Sequence, residues 1–344
     1  MLNPRYTFIS AFLKGEETKI VTSEHIDKMM SASNLQDALA IIRETDIGSY
    51  LEDLPIRTFD DIDKCLWGYL AQRIRYVESL KFPPKEIRKL SRAYLMKYDI
   101  FNIKAALQGI SADKKASMIP IGVIYNNSLL DELSNAENVD DIIQLLIECK
   151  LGDYVLALEQ YKMSESAKSK LFAQTKLDNK YYENMVNVSK AISEGLVLSK
   201  TLGLTIDLAN LQTITRAIIM GLGAGIAEYA IAGGYMIAGQ AIKDLSSSEL
   251  ADVPTKLEGT PYQDIAKDIL SSYETTRDIS VVSEIIDKHK FRLAKEMLSS
   301  RLLSPLVMVW YLILKEIEIR NLRLAFKAIV DGIPLQEIKN YLVL

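Results

Sequence analysis

The sequence predicts an all-α fold of three similar helical bundles, and three observations carry that expectation. Apolar residues recur at helical spacing in runs such as ALAIIRE, IIQLLIE and LVMVWYLILKE, which suit a period of 3.6 residues better than one of 2. No stretch gives a credible hairpin signal. One helical block is written three times, as KYDIFNIKAALQG (97–109), TIDLANLQTITRA (205–217) and IEIRNLRLAFKAI (317–329). A long regular period of this kind points to an internal repeat.

Within the block, three asparagines align: Asn102, Asn210 and Asn321, spaced 108 and 111 residues apart. An acid stands three residues before each: Asp99, Asp207 and Glu318. A long polar residue follows two positions after each, namely Lys104, Gln212 and Arg323.

The flanks repeat as well. In the earliest element, NLQDALAIIRETDIGSYL (34–51) matches NVDDIIQLLIECKLGDYV (138–155). Asn34 and Asn138 read as N-caps with Asp37 and Asp141 at N3, and Gly48 and Gly152 read as C-cap glycines. The third copy, GTPYQDIAKDIL (259–270), offers Thr260 as N-cap and Pro261 at N1. The next element begins at the acidic run FDDID (59–63), where acids suit a helix start. It carries an acid with an aromatic four residues on in every copy: Asp63 and Trp67, Asp178 and Tyr182, Asp287 and Phe291. That spacing places both on one helix face.

The block itself follows. Its lead-in pairs Leu90 with Leu198 and Ser91 with Ser199. Beyond it, Gly109-Ile110, Gly221-Leu222 and Gly332-Ile333 each precede a second aliphatic nine residues later, at Ile119, Ile231 and Leu342. Units of about 115 residues, spanning 1–118, 119–230 and 231–344, account for the chain, which ends where a fourth would start.

The acid–asparagine pairs admit two readings. Three carboxylates converging on a cation lack the further oxygens that calcium takes, and neither a histidine nor a nucleophile accompanies them. The structural reading has the acid capping or beginning a helix while a buried asparagine hydrogen-bonds backbone between bundles. Lys104, Arg216 and Arg323 then read as a solvated or partner-facing edge.

Composition narrows the function. With 49% apolar and 25% charged residues the chain is a folded globular protein. A net charge of −4 gives no basic footprint for nucleic acid. Cys65 and Cys149 lack metal or disulfide spacing and read as buried thiols, and His25 and His289 are the only histidines. No GxxxxGK[ST] loop is present, and Gly221, Gly223 and Gly225 do not make a dinucleotide fingerprint. The start, MLNPRYTFISAFLKGEE, lacks the features of a signal peptide, so a cytoplasmic location is expected.

Residues 217–242 are apolar, with six glycines and Glu228 as their one charge. A lone carboxylate in such a run would suit a membrane proteolipid, but Gly233-Gly234 cuts the run below the ~20 residues needed to span a bilayer. A buried helix followed by a turn is expected instead.

KYDIFNIKAAL, TIDLANLQTI, GTPYQDI, IAGGYM and above all SPLVMVWYLILKEIEIRNLRLAFKAIVDGIP resemble the C subunit of the archaeal and bacterial V/A-type rotary ATPases, a relative of the d subunit of the vacuolar ATPase. The resemblance covers nearly the whole chain, and the segment Lys315 to Arg323 is its most specific part. It implies a funnel of three helical bundles around a pseudo-threefold axis. It implies a non-catalytic protein without cofactor or metal, a peripheral membrane protein on the cytoplasmic side. Its partners would be the central-shaft subunits and the proteolipid rotor ring of one heteromultimeric complex, between which it passes torque during ATP-coupled proton or sodium transport. The glycine-broken segment, with Gly221, Gly223, Gly225, Glu228, Gly233 and Gly234, would then line a socket or a seam. A helical-repeat binding scaffold outside the rotary ATPases is the alternative.

Overall fold

The structure, a computed structural model, describes residues 6–29, 31–52, 54–79, 84–164, 167–222 and 224–343, and every regular element among them is helical. In chain order the shorter helices α1 (Thr7–Glu17), α2 (Ser23–Met29), α3 (Leu35–Ile41) and α4 (Asp46–Leu51) lead into the long α5 (Phe59–Ser79) and α6 (Lys85–Ala112). Then α7 (Val123–Asn126), α8 (Leu130–Ser134), α9 (Val139–Glu148) and α10 (Val155–Lys162) lead into α11 (Ala167–Ser189) and α12 (Gly195–Ile219). Last, α13 (Gln240–Ser246), α14 (Val253–Lys256) and α15 (Gln263–Thr276) lead into α16 (Ser280–Leu298) and α17 (Leu306–Asp331), followed by α18 (Leu335–Ile338). A set of shorter helices followed by two long ones thus occurs three times.

Local chemistry sets the ends of these helices. The Asn138 side chain accepts the Asp141 N–H at 3.1 Å, and the Asp141 carboxylate accepts the N–H of Asn138 in return, closing a capping box on α9. Asn34 caps α3 by accepting the Asp37 N–H at 3.0 Å, without the reciprocal backbone bond. The C-caps differ from the sequence expectation. Lys150, at φ 59°, rather than Gly152, takes the left-handed turn after α9, with its own N–H and that of Leu151 returning to Ile147 and Leu146. Gly48 lies inside α4, where a Cβ would fall 1.8 Å from the Ile42 carbonyl oxygen, so close packing of backbone on backbone requires the glycine. Thr260 does not cap α15 directly. Its hydroxyl accepts the Tyr262 N–H at 3.2 Å in the turn that precedes it.

The three block helices share one C-terminal device. A left-handed residue stands eleven positions after each asparagine: Asp113 after α6, Gly221 after α12 and Gly332 after α17. At Gly332, the following Ile333 N–H reaches back to Ala328 at 2.8 Å, satisfying a carbonyl at the helix end. The sequence pattern matches Gly109 to this position, but Gly109 lies inside α6, whose last turn carries on to Ala112.

The fold divides into two compact units, one built from Met1–Arg88 together with Ala294–Leu344, the other from Lys89–Leu293. In the first, α17 packs on α5 and α1 and buries Val309, Ile319, Leu322 and Phe326, while α5 buries Ile62, Leu66 and Leu70. In the second, Leu204, Leu208, Leu211 and Ile214 of α12 pack in one cluster with Ile265 and Ile269 of α15 and with Val282 and Ile286 of α16. Each such side chain contributes about 1.5–3 kcal/mol when fully withdrawn from water.

Residues 217–242 depart from the expected buried helix. α12 ends at Ile219, a 3₁₀ turn covers Ala224–Tyr229, and irregular chain runs to α13. Glycines at 221, 233, 234 and 239 keep the helix from propagating, since each costs backbone entropy in a helix interior. Much of the segment is open to solvent, with Leu222 at 54% and Tyr235 at 55% exposure. Among the described residues no helix is long and apolar enough to cross a membrane.

Candidate functional site: the asparagine and acid clamps

The asparagines of the block are buried and clamp the backbone of a distant residue from both sides. Asn102 Nδ2 donates to the Ile119 carbonyl at 2.9 Å, and its Oδ1 accepts the Ile119 N–H at 2.8 Å. Asn210 does the same to Ile231, at 2.9 and 2.7 Å. Asn321 does the same to Val343, at 2.6 and 3.0 Å. An amide side chain offers a donor and an acceptor side by side, which matches the outward N–H and C=O of a single extended residue. No other uncharged side chain of this size supplies both, which is the physical reason for writing asparagine three times. Ile119 and Ile231 are the aliphatics that repeat in the sequence, and the third clamp falls on Val343, one residue beyond Leu342.

One turn earlier on each helix, the acid takes backbone N–H groups. Asp99 uses both oxygens, accepting from Val123 at 2.8 Å and Ile124 at 2.9 Å, which caps α7. Asp207 accepts from Met236 at 2.7 Å and Ile237 at 2.9 Å, and also from the Tyr262 hydroxyl at 2.6 Å. These two acids therefore begin a different helix or turn from the one that carries them. Space for the carboxylate comes from glycine. A Cβ at Gly122 would sit 2.4 Å from Asp99 Oδ1, and one at Gly234 would sit 2.3 Å from Asp207 Oδ1. The two glycines occupy matching places in the repeat, each three residues after the repeated aliphatic, Ile119 or Ile231.

Glu318 differs. Its Oε1 accepts the Val21 N–H at 2.7 Å, and its Oε2 receives Lys315 Nζ at 3.0 Å. Lys315 is wholly buried and also donates to the Tyr69 hydroxyl at 2.8 Å, which in turn donates to Asp46 at 2.6 Å. Arg73 joins the same group of charges by pairing with Glu16 and lying 3.4 Å from Asp46. Burial raises the pKa of Glu318, opposed by the Lys315 charge and the Val21 N–H. Burial likewise raises Asp99, to about 6, against the pull of its two backbone N–H donors.

What these groups do chemically is hold backbone. Among the described residues no set of three or more His, Cys, Asp or Glu is placed to take a metal ion. Cys149 is buried and Cys65 half-buried, both as free thiols.

The comparison with known families decides the identity. The ATP synthase (C/AC39) subunit family matches residues 9–341. The chain belongs to this family. Its relatives include the C subunit of the A-type ATP synthase of Methanocaldococcus jannaschii, 23% identical over 98% of this chain and 86% of the relative. The C subunits of the A-type ATP synthases of Methanosphaera stadtmanae and Methanobrevibacter smithii are 26% and 27% identical, each over 98% of this chain and 88% of theirs.

In this member of the family the charged residues after the asparagines are internal pairs rather than an open edge. Lys104 bonds both oxygens of Asp178, at 2.6 and 2.5 Å. Arg323 pairs with Asp63 and lies over the Trp67 ring at 5.0 Å. Gln212 bonds Ser283 at 2.9 Å and receives Lys290 at 3.1 Å. Arg216 does stay exposed, with one nitrogen 3.3 Å from the Ser283 hydroxyl. Each partner lies on the helix that carries the repeated acid–aromatic pair of another copy: α11 for Lys104, α16 for Gln212 and α5 for Arg323.

The glycine-rich segment is fastened at Ile231, Ala232, Met236 and Ile237 and buries Ile226 and Tyr229, with exposed residues between these holds. Asn179 accepts the Ala232 N–H at 2.7 Å, beside the Asn210 clamp. Gly221, Gly233 and Glu228 are exposed, Gly225 and Gly234 are half-buried, and Gly223 lies outside the described residues.

Proposed function

We propose that this chain is the non-catalytic connector of the central stalk in an A-type ATP synthase, seated on the cytoplasmic side of the membrane. In this reading it receives the rotating shaft and docks it onto the proteolipid rotor ring, passing torque between them. Family membership over residues 9–341 carries the proposal. Two features of the molecule support it. A part that passes torque must resist deformation, and the clamps tie long helices to backbone segments through buried hydrogen bonds, each worth about 1 kcal/mol or more where the alternative is an unpaired group. The sequence lacks a phosphate loop, so ATP chemistry belongs to other chains of the complex.

The threefold recurrence of acid and asparagine supports three repeat units, with boundaries near residues 118 and 230, each offering an equivalent docking face. Leu196, Leu222, Tyr235 and Met236, all substantially exposed, supply apolar surface to the shaft or ring in this reading.

The test is co-purification from native membranes by a tag on this chain, with partners identified by mass. Recovery of both shaft and proteolipid subunits supports the connector role. Recovery of neither under conditions that keep the complex whole refutes it.

A further inference from the structure

In two copies of the block, the asparagine and the acid hold neighbouring residues of one continuous segment. Asn102 and Asp99 hold Ile119 and then Val123-Ile124, while Asn210 and Asp207 hold Ile231 and then Met236-Ile237. In the third copy the two jobs fall to segments far apart in sequence. Asn321 holds Val343, but Glu318 holds Val21, 297 residues before it. Residues 19–21 fill, at the third acid, the place that covalent continuity fills at the other two.

The contact is built for that purpose. The third acid is glutamate, one methylene longer than the two aspartates, and only one of its oxygens takes backbone. The other is held by Lys315, which is itself fixed by Tyr69 and Asp46. The segment has a second hold close by, where the Lys19 carbonyl accepts the Asp46 N–H at 3.1 Å. The Lys19 side chain pairs with Glu16 at 3.0 Å. Apart from these polar holds, Lys19, Ile20 and Val21 are exposed or half-buried, so little apolar burial retains them. A segment held by a few hydrogen bonds and little burial opens at lower cost than the core it lies on.

We infer that residues 19–21 form a strap that closes the last clamp non-covalently through Glu318, and that the strap releases without unfolding α17 or α2, which stays anchored by its buried Ile26 and Met29. The two continuous copies have no equivalent release, because their clamped residues are tied covalently to the clamp's own helix by 17 to 30 residues of chain. The device thus gives one of three otherwise matching clamps a separate open state.

Hydrogen exchange followed by mass spectrometry tests this on the full chain. In the wild type, the amides of residues 19–22 exchange at least about tenfold faster than those of α17, as a sub-global opening requires. Val21→Pro removes the donated N–H, and exchange at Lys19, Ile20, Thr22 and at Asp46, whose N–H the Lys19 carbonyl accepts, rises by about another tenfold, the scale of one charge-assisted hydrogen bond. Peptides covering α17 and 231–237 keep their wild-type rates. The inference is overturned if residues 19–22 and α17 exchange at one rate in the wild type. It is equally overturned if Val21→Pro leaves residues 19–22 and Asp46 unchanged or accelerates α17 to the same degree.

Discussion

Replacing Asn210 by leucine tests whether the clamps carry stability. Leucine has nearly the shape of asparagine, so the change deletes two hydrogen bonds with little change in volume. It leaves the Ile231 N–H and C=O without their partners, which now bond Asn210 at 2.7 and 2.9 Å. Each buried orphan costs about 1–3 kcal/mol. Ile231 is only half-buried, so water recovers part of that, and the apolar leucine offsets about 1 kcal/mol by its own burial. The net loss is about 2 kcal/mol, or about 4–8 °C in melting temperature for a unit of this size. Asn187→Leu on the exposed face of α11 is the control and shifts stability by less than about 0.5 kcal/mol. Urea and thermal melts followed by circular dichroism measure both variants. Equal shifts for Asn210→Leu and Asn187→Leu would refute the clamp argument.

Three further outcomes follow from the same geometry. Gly122→Ala, at φ 116° and with its new Cβ 2.4 Å from Asp99 Oδ1, costs at least about 2 kcal/mol. Gly221→Ala, at φ 67° with open space around it, costs about 1 kcal/mol, and chemical denaturation ranks the two. The Asp99 carboxyl has a folded pKa of about 6 against an ordinary 3.8, so the folded state binds the extra proton. Its contribution to stability is therefore complete below about pH 4 and is lost as pH rises through about 6, by an amount of order 3 kcal/mol. Urea midpoints across that window fall with rising pH in the wild type, and Asp99→Asn removes this component of the slope. Lys104→Ala and Asp178→Ala, combined in a double-mutant cycle, give a coupling of about 0.5–1 kcal/mol for a pair that keeps partial contact with water. A coupling of zero would return Lys104 to the role of a solvated edge.

Much of this was legible in the sequence because it was written three times. The spacing of Asp99 and Asn102, Asp207 and Asn210, and Glu318 and Asn321 announced a common task, and the helical class followed from periodicity. The acid–aromatic pairs on α5, α11 and α16 were visible too, but the bonds from those helices to Lys104, Gln212 and Arg323 were not. A pairing between helices of different copies leaves no local pattern. Gly109 aligns with Gly221 and Gly332 in the sequence, but the left-handed residue of the first copy is Asp113, a residue type that tolerates that conformation. The segment 217–242 misled for a different reason. Its apolar composition suggested burial, but its glycines prevent a helix that could bury it. In sequence, Lys315 is only one letter of a charged motif. That it is wholly buried among Tyr69, Asp46 and Glu318 depends on three segments meeting, which one segment cannot reveal.

The connector role is tested most directly by assembling the ATP synthase in vesicles with and without this chain, and measuring ATP hydrolysis and ion uptake together. Complexes lacking the chain are expected to hydrolyse ATP without moving ions, and adding back the purified chain is expected to restore ion uptake. Ion uptake at the full rate in its absence would contradict a connector.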